Sequence, residues 1–261
     1  MTVPHSDSTL AHSLSRTVTI HAQPATVFSF FTDSDRWASW WGAGSTIDAR
    51  VGGRLLIRYP DGTEVSGSVL EVTPPEVIVF TYGFNSGHPI APGASRVTIR
   101  LEPAGLGTRL RLVHDLADAA VRDEHVQGWR YQLSVFGNVA ANLVNAGAAA
   151  AVDAWFEAWA ERDAAARERT LQTIASTDVR FRDRVSLLDG IDDLVPHIGA
   201  AQRFMPDMRL RRDGDIRHCQ GTVLADWIAA GPDGTARARG TNVFTLRPDG
   251  LIADVVGFWR P

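Results

Sequence analysis

Lysine is absent from this chain of 261 residues, so all 26 of its basic residues are arginine. This absence excludes chemistry that needs a side-chain amine, such as Schiff bases, phosphate-loop lysines and serine–lysine pairs. Cysteine is almost absent as well, because Cys219 is the only one. A disulfide framework and a cysteine-based zinc site are therefore excluded. No other metal-ligand spacing and no nucleotide or flavin motif occurs, so we expect no metal and no cofactor.

Long apolar runs and an excess of basic charge are also missing. No stretch reaches the roughly 18 apolar residues that a membrane-spanning helix needs. The formal net charge is −4, and neither half of the chain is basic, which argues against a nucleic-acid partner. The first residues are polar and lack the apolar segment of a secretory signal. From these absences we expect a cytoplasmic protein with no nucleic-acid partner and no membrane partner.

What the chain does contain is two complete α+β patterns, which meet at an alanine-rich segment after Asn145. Before this segment the order is strand, short helices, several strands and a long helix. After it the helices come first and most of the strands follow. Two domains of about 110–150 residues can each bury a core. We therefore predict one domain over residues 14–148 and a second over residues 149–261.

The first half begins with a strand and two short helices, the first of which starts at Pro24. The second short helix carries three tryptophans, Trp37, Trp40 and Trp41. The strands are predicted at residues 14–21, 54–59, 64–72, 77–82, 97–101 and 109–114. In the last of these, His114 alternates with leucines and is expected to be buried.

A long helix closes the first half, from Glu124 to Val144. Its apolar residues, which begin with Trp129, recur at i, i+4 and i+7, so one face must be covered. The concave side of the predicted sheet is the only surface in this half that can cover it.

The tryptophan helix (residues 36–41) and the Gly128-Trp129 pair, in this order of elements, resemble the START-like (SRPBCC) superfamily. Within it the first half is similar to the branch named after the activator of the heat-shock-protein-ninety ATPase. The resemblance implies a helix-grip fold, in which an antiparallel sheet wraps round one long helix and leaves an apolar tunnel. Bacterial members of this branch are mostly ligand-binding or stress-associated proteins, whereas the co-chaperone role belongs to eukaryotic members. The expected ligand-contacting residues are Trp40, Trp41, His114 and Trp129.

The second half contains two helices, a strand at 179–183, a helix from Gly190 and then strands. The strands are predicted at residues 208–219, 222–229, 236–246 and 252–259, separated by strong Pro-Asp-Gly turns. This order resembles the nuclear transport factor two superfamily, specifically its SnoaL-like branch. The residues that carry the resemblance are Trp155 to Trp159, Phe181 to Asp183, Asp189-Gly190, Ala225 to Trp227 and Phe244 to Gly250. It implies a cone, with a bent sheet round three helices and an apolar pocket at the open end.

In catalytic members of this superfamily, acids project into that pocket. The resemblance places Asp183 where the ketosteroid isomerase has its proton-transferring aspartate, and an apolar pocket raises the pKa of a carboxyl group. Trp155 and Asn242 stand where the isomerase has its two oxyanion donors, and both side chains can donate a hydrogen bond. His218 is a further candidate on a neighbouring strand. The remaining expected pocket residues are Trp159, Trp227 and Phe244.

Each of these assignments has a structural alternative. Asp183 lies among arginines and can instead form a surface salt bridge. Asn242 can be a hydrogen-bonded core amide. His218 can be a strand-end residue without a role as a base.

These observations predict a small-molecule binding protein with two apolar cavities. The second cavity can support a cofactor-free cyclase, isomerase or hydrolase acting on an aromatic or polyketide-like carbonyl compound. The alternatives are a binder without catalysis or a chaperone-interacting module. Cone folds often pair through the outer face of the sheet, so we also expect a homodimer through the second domain. That face holds Thr241, Val243 and Thr245, and a strict monomer in light scattering would contradict the pairing.

Overall fold

The structure is a computed structural model that describes residues 10–260. The chain forms two compact units, Met1–Ala140 and Ala141–Pro261. The division falls inside a long helix, so the domain limits of 14–148 and 149–261 stay a proposal.

The first unit is built on a seven-stranded antiparallel sheet with two short helices inserted after its first strand. The short helices are α1 (Pro24–Ser29) and α2 (Ser34–Trp41). The strands are β1 (His12–Ile20), β2 (Thr46–Ile47), β3 (Arg54–Arg58), β4 (Glu64–Thr73), β5 (Val77–Phe84), β6 (Ser95–Ala104) and β7 (Gly107–Leu116). Their order in the sheet is β1-β7-β6-β5-β4-β3-β2, so the first strand pairs with the last. A long helix, α3 (Ala119–Val144), follows β7.

Local sequence explains where the elements of the first unit begin and bend. Pro24 opens α1, where its missing N–H costs nothing. Asp33 caps α2 by accepting a hydrogen bond from the Arg36 N–H at 2.9 Å. In the sheet, the Cβ of any residue at Gly67 would lie 1.7 Å from the Thr81 carbonyl oxygen, so only glycine permits this close approach of β4 and β5.

Aromatic side chains form the core between α1, α2, α3 and the sheet of the first unit. The Phe31 ring stacks on Phe136 from α3 with centroids 5.4 Å apart, and Trp37 meets Phe80 from β5 edge-on at 5.9 Å. Trp37 is fully buried, and its indole N–H donates to the Leu56 carbonyl at 3.1 Å. The apolar face of α3 is thus covered as its spacing predicts.

The second unit contains three helices and a second sheet of seven strands. The helices are α4 (Ala148–Ala160), α5 (Ala164–Ile174) and α6 (Ile191–Phe204). The strands are β8 (Ala175–Arg182), β9 (Leu187–Asp189), β10 (Arg209–Arg212), β11 (Arg217–Cys219), β12 (Thr222–Ala230), β13 (Ala236–Leu246) and β14 (Ile252–Trp259). The sheet order is β10-β12-β13-β14-β8-β9, with β11 also paired to β12 and with β14 parallel to β8.

The fold class is confirmed: a helix-grip antiparallel sheet with a long C-terminal helix precedes a cone-like α+β unit. Several bounds differ by a few residues from the sequence prediction, since α3, for example, begins at Ala119 and not at Glu124, and two further details differ. The single strand predicted over 208–219 is two short strands, because Gly214 has φ +85° and turns the chain between them. The short strands β2 and β9 were also missed, since two or three residues are too few to show an alternating pattern.

Within residues 10–260 no single helix is long and apolar enough to span a membrane, although α3 and α4 meet that test as a broken pair.

Candidate functional site

A cavity of about 340 Å³ lies in the first unit, between α2, α3 and the sheet. Cavities that hold drug-sized ligands measure about 300–1,000 Å³, so this one can hold a small molecule. Its wall is mainly aromatic and is formed by Trp40, Trp41, Tyr59, Tyr82, Trp129 and Tyr131. Three of the four predicted ligand-contacting residues therefore line one cavity, and the fourth, His114, contacts it from behind the wall.

The two tryptophans at the end of α2 supply one side of the cavity. Trp40 and Trp41 are each 3% exposed, and their rings lie 4.1 Å apart. Their indole N–H groups are buried without a hydrogen-bond partner among the described residues. Because both nitrogens are also closed to solvent, the two indoles offer the cavity apolar ring surface.

One face of α3 supplies the opposite side. His125, Trp129, Gln132 and Val135 line the cavity at intervals of three or four residues, which places them on a single helical face, and Gly128 lines it beside Trp129. A Cβ added to Gly128 would meet no atom within 4 Å. Gly128 therefore leaves open space at the cavity wall.

Behind the wall, a chain of hydrogen bonds fixes the position of Trp129. The Trp129 indole N–H donates to His114 Nδ1 at 3.0 Å. His114 Nε2 lies 2.8 Å from the Ser95 hydroxyl, which donates in turn to the Tyr82 carbonyl at 2.7 Å. Because an indole only donates, Nδ1 of His114 must be unprotonated, and the proton of the neutral ring sits on Nε2.

The surroundings of His114 keep it neutral. The ring is fully buried, and its pKa falls from 6.5 to about 3, mainly because of burial and also because of the nearby His125, while Asp115 acts in the opposite direction. A second proton would have to enter at Nδ1, where the Trp129 indole already points its own hydrogen. His114 is thus a buried imidazole that holds a wall residue in place.

Two tyrosines add hydroxyl groups to the cavity. The Tyr59 and Tyr82 hydroxyl oxygens are 3.2 Å apart. Burial raises the pKa of both phenols, and the pKa of Tyr82 also rises because of Tyr59 beside it. Both therefore stay protonated near neutral pH. Sequence reasoning missed this pair, and the only signal for it is weak: Tyr59 and Tyr82 are the last residues of the strands predicted at 54–59 and 77–82.

His125 and Gln132 are two polar residues on the cavity face of α3. His125 Nδ1 lies 2.7 Å from the Val121 carbonyl oxygen, one turn earlier. Gln132 is buried, and its amide nitrogen donates to the Trp40 carbonyl. Gln132 was also missed from sequence, although its position three residues after Trp129 places it on the same helical face.

In the second unit, Asp183 follows the end of β8 and is half-buried. Its Oδ2 accepts a hydrogen bond from the Trp259 indole N–H at 3.1 Å, and its Oδ1 accepts one from the Val185 backbone N–H at 2.9 Å. Within the described chain no ion pair joins Asp183 to a neighbouring arginine. Arg182 pairs with Asp254 instead, at 3.0 Å. Arg184 instead lies over the Trp259 ring, 4.6 Å from its centroid.

Asn242 lies beside Asp183, across Gly257. A Cβ at Gly257 would be 3.2 Å from Asp183 Cβ and 3.3 Å from Asn242 Oδ1. The Asn242 oxygen accepts the Trp227 indole N–H at 2.9 Å, which turns its amide N–H₂ away from Trp227. Asp183 and Asn242 both line a small cavity of about 70 Å³.

That small cavity contains only part of the predicted second pocket. Trp159 and Trp227 line it with Asp183, whereas Trp155 and Phe244 are fully buried and pack against each other in the core, with ring centroids 6.0 Å apart. The 70 Å³ is well below the range of ligand cavities. An open groove of about 610 Å³ also adjoins Asp183 and is lined in addition by Arg182, Arg184, Phe258 and Trp259.

His218 lies apart from this group, on the short strand β11. Its Nε2 accepts the Gly221 backbone N–H at 3.0 Å, so Nδ1 carries the proton and donates to Asn142 Oδ1 at 2.6 Å. Both ring nitrogens are therefore occupied, and partial burial lowers the pKa of His218. The structure does not bring His218 together with Asp183 and Asn242.

Among residues 10–260, no group of three His, Cys, Asp or Glu side chains is arranged to hold a metal ion.

Comparison with protein families gives one match. Residues 21–140 match the family described as "Activator of Hsp90 ATPase homolog 1-like protein". This segment contains the aromatic cavity of the first unit. No curated protein matches the chain.

Several solved structures are similar to parts of the chain. A putative isomerase of the SnoaL-like family from Agrobacterium tumefaciens is 26% identical over 43% of this chain and 96% of its own, with a TM-score of 0.41. CalU16 from Micromonospora echinospora is 27% identical over 48% of this chain and 73% of its own, with a TM-score of 0.40. The Aha1 dimer from Colwellia psychrerythraea is 17% identical over 48% of this chain and 93% of its own, with a TM-score of 0.43.

Proposed function

We propose that the first unit, whose residues 21–140 match the activator-of-Hsp90-ATPase-homolog-1-like family, binds a small hydrophobic molecule in its aromatic cavity. The observation that carries the proposal is an aromatic-lined space of about 340 Å³ whose wall includes a few polar side chains, among them His125 and Gln132. Apolar walls with a few polar groups are typical of ligand sites.

The rigidity of the cavity wall supports the same proposal. Trp129 is held by His114, which is held in turn by Ser95. A wall fixed in this way loses little entropy when a ligand binds, so more of the contact energy remains as affinity.

Filling the cavity mouth should block binding. We expect Gly128→Leu to weaken the binding of 2-naphthol by about tenfold or more, because the added side chain enters open space at the wall and competes with the ligand. Isothermal titration calorimetry measures the affinity. The matched control is Gln127→Leu, which adds a leucine at the preceding exposed position of α3 that does not line the cavity.

Equal affinity of Gly128→Leu and the unmodified protein would place the ligand elsewhere. Loss of folding would not account for weaker binding by Gly128→Leu, because replacing a helical glycine favours the helix by roughly 0.5–1 kcal/mol. Thermal unfolding of both leucine variants checks this.

The second unit supports a second candidate function, proton transfer by Asp183. The supporting observation is a half-buried carboxylate that has no arginine partner in the described chain and lies beside the Asn242 amide. In a cofactor-free cyclase, isomerase or hydrolase, Asp183 would take a proton next to a carbonyl group and Asn242 would donate to the developing oxyanion. Since the inner cavity is only about 70 Å³, a substrate would have to approach from the open groove.

The predicted homodimer through the outer sheet face stays a prediction.

A further inference from the structure

The aromatic cavity of the first unit has an uncharged wall. Among the described residues that line it there is no aspartate, glutamate or arginine. Its two tyrosines stay protonated, because burial raises the pKa of both. Moving a charged group into such a site without a partner costs several kcal/mol or more. This lining favours a neutral ligand over a charged one.

His125 offers a hydrogen-bond acceptor to this uncharged space. The Val121 carbonyl can only accept, so the proton between it and His125 must be on Nδ1. In the neutral ring Nε2 is then an acceptor with a free lone pair. No side chain or backbone group within residues 10–260 donates to Nε2, and the atom is not sealed from solvent.

Gln132 offers a second acceptor on the same helical face. Its amide nitrogen donates to the Trp40 carbonyl, so its side-chain oxygen is left without a protein donor in the described chain. His125 and Gln132 are seven residues apart, which corresponds to two helical turns and about 10 Å along α3. The cavity face of α3 thus carries two acceptors two turns apart.

We propose that the aromatic cavity selects neutral aromatic molecules that carry a hydroxyl group, and that this hydroxyl donates its hydrogen to Nε2 of His125. The inference rests on the proposed binding function and adds the ligand class and the residue that determines it.

Three probes of nearly equal shape test the proposal on the full chain by titration calorimetry at neutral pH. They are 2-naphthol, which is neutral and donates; 2-methoxynaphthalene, which is neutral and cannot donate; and 2-naphthoate, which is charged. We expect 2-naphthol to bind at least about fivefold more tightly than the methyl ether, the effect of one net hydrogen bond. The 2-naphthoate should bind more weakly than both.

Two variants assign the selectivity to His125. The variant His125→Phe keeps a ring but removes the acceptor, so the preference for 2-naphthol over the ether should fall to within about twofold. The variant His125→Gln restores an acceptor and should restore part of the preference, which a merely structural role of the ring would not do. The same change at exposed His88, which lies outside the cavity, is the control.

The outcomes separate this inference from the proposed function. If none of the three probes binds, the binding function itself fails. If all three bind equally, or if 2-naphthoate binds most tightly, the cavity binds ligands but the hydroxyl selectivity is wrong. A preference for 2-naphthol that persists unchanged in His125→Phe would overturn the role of His125.

Discussion

Replacing Asp183 with Asn should lower protein-catalysed proton abstraction by at least about 100-fold, since positioned general bases contribute roughly 10²–10⁴-fold. The change keeps the shape of the side chain but removes the group that accepts the proton. The Trp259 indole can still donate to the Asn oxygen as it does to Asp183 Oδ2.

The elimination of 5-nitrobenzisoxazole measures this directly. A base removes the ring C–H proton, the N–O bond breaks, and a coloured cyanophenolate forms. The control is Asp189→Asn, because Asp189 is an exposed acid on β9 that lines neither the inner cavity nor the groove. A wild-type rate no higher than the buffer background, or equal rates for wild type and Asp183→Asn, would remove the catalytic proposal and leave the binding function untouched.

Acid should destabilise the first unit through His114. Its pKa is about 3 when folded and about 6.5 when unfolded, so the unfolded state binds the extra proton between these values. Above pH 6.5 His114 is neutral in both states and the free energy of unfolding is at its full value. The free energy of unfolding then falls progressively as the pH drops towards 3. Between pH 7 and pH 5 the loss amounts to about 2 kcal/mol in the free energy of unfolding.

The variant His114→Gln isolates this contribution. A glutamine can accept from Trp129 and donate to Ser95 as the imidazole does, but it does not titrate in this range. We expect its first unit to lose about 2 kcal/mol less than wild type over the same pH interval. Hydrogen exchange of peptides from β6 and β7 follows this unit separately from the other. The variant His88→Gln, which alters an exposed histidine, should behave as wild type, and an equal pH dependence in all three proteins would contradict the account.

Much of the first unit follows from sequence because periodicity reports which face of an element is buried. The alternation of β7 correctly places His114 inside, and the i, i+4, i+7 spacing of α3 correctly places Trp129 over the sheet. Periodicity does not predict the hydrogen bond between His114 and Trp129, since this bond depends on two rings from separate elements meeting within 3.0 Å. The tautomer of His114 and its low pKa follow only from that contact.

The second unit shows where such reasoning stops. The order of its helices and strands is readable from turns and apolar spacing, but the volume of a cavity depends on how side chains fill the interior. Trp227 and Trp259, 5.3 Å apart and edge-on, are part of the wall that leaves only about 70 Å³ beside Asp183. Trp155 is enclosed in the core, and matching its position to that of a residue in a family member does not reveal how deeply its side chain is buried.

The central claim is that the aromatic cavity of the first unit holds a small neutral molecule, and nuclear Overhauser contacts between bound 2-naphthol and the protein test it most directly. The account predicts contacts from the naphthol ring protons to the indole rings of Trp41 and Trp129, and their disappearance in Gly128→Leu. Contacts confined to residues of the second unit, or no contacts at saturating 2-naphthol, would contradict it.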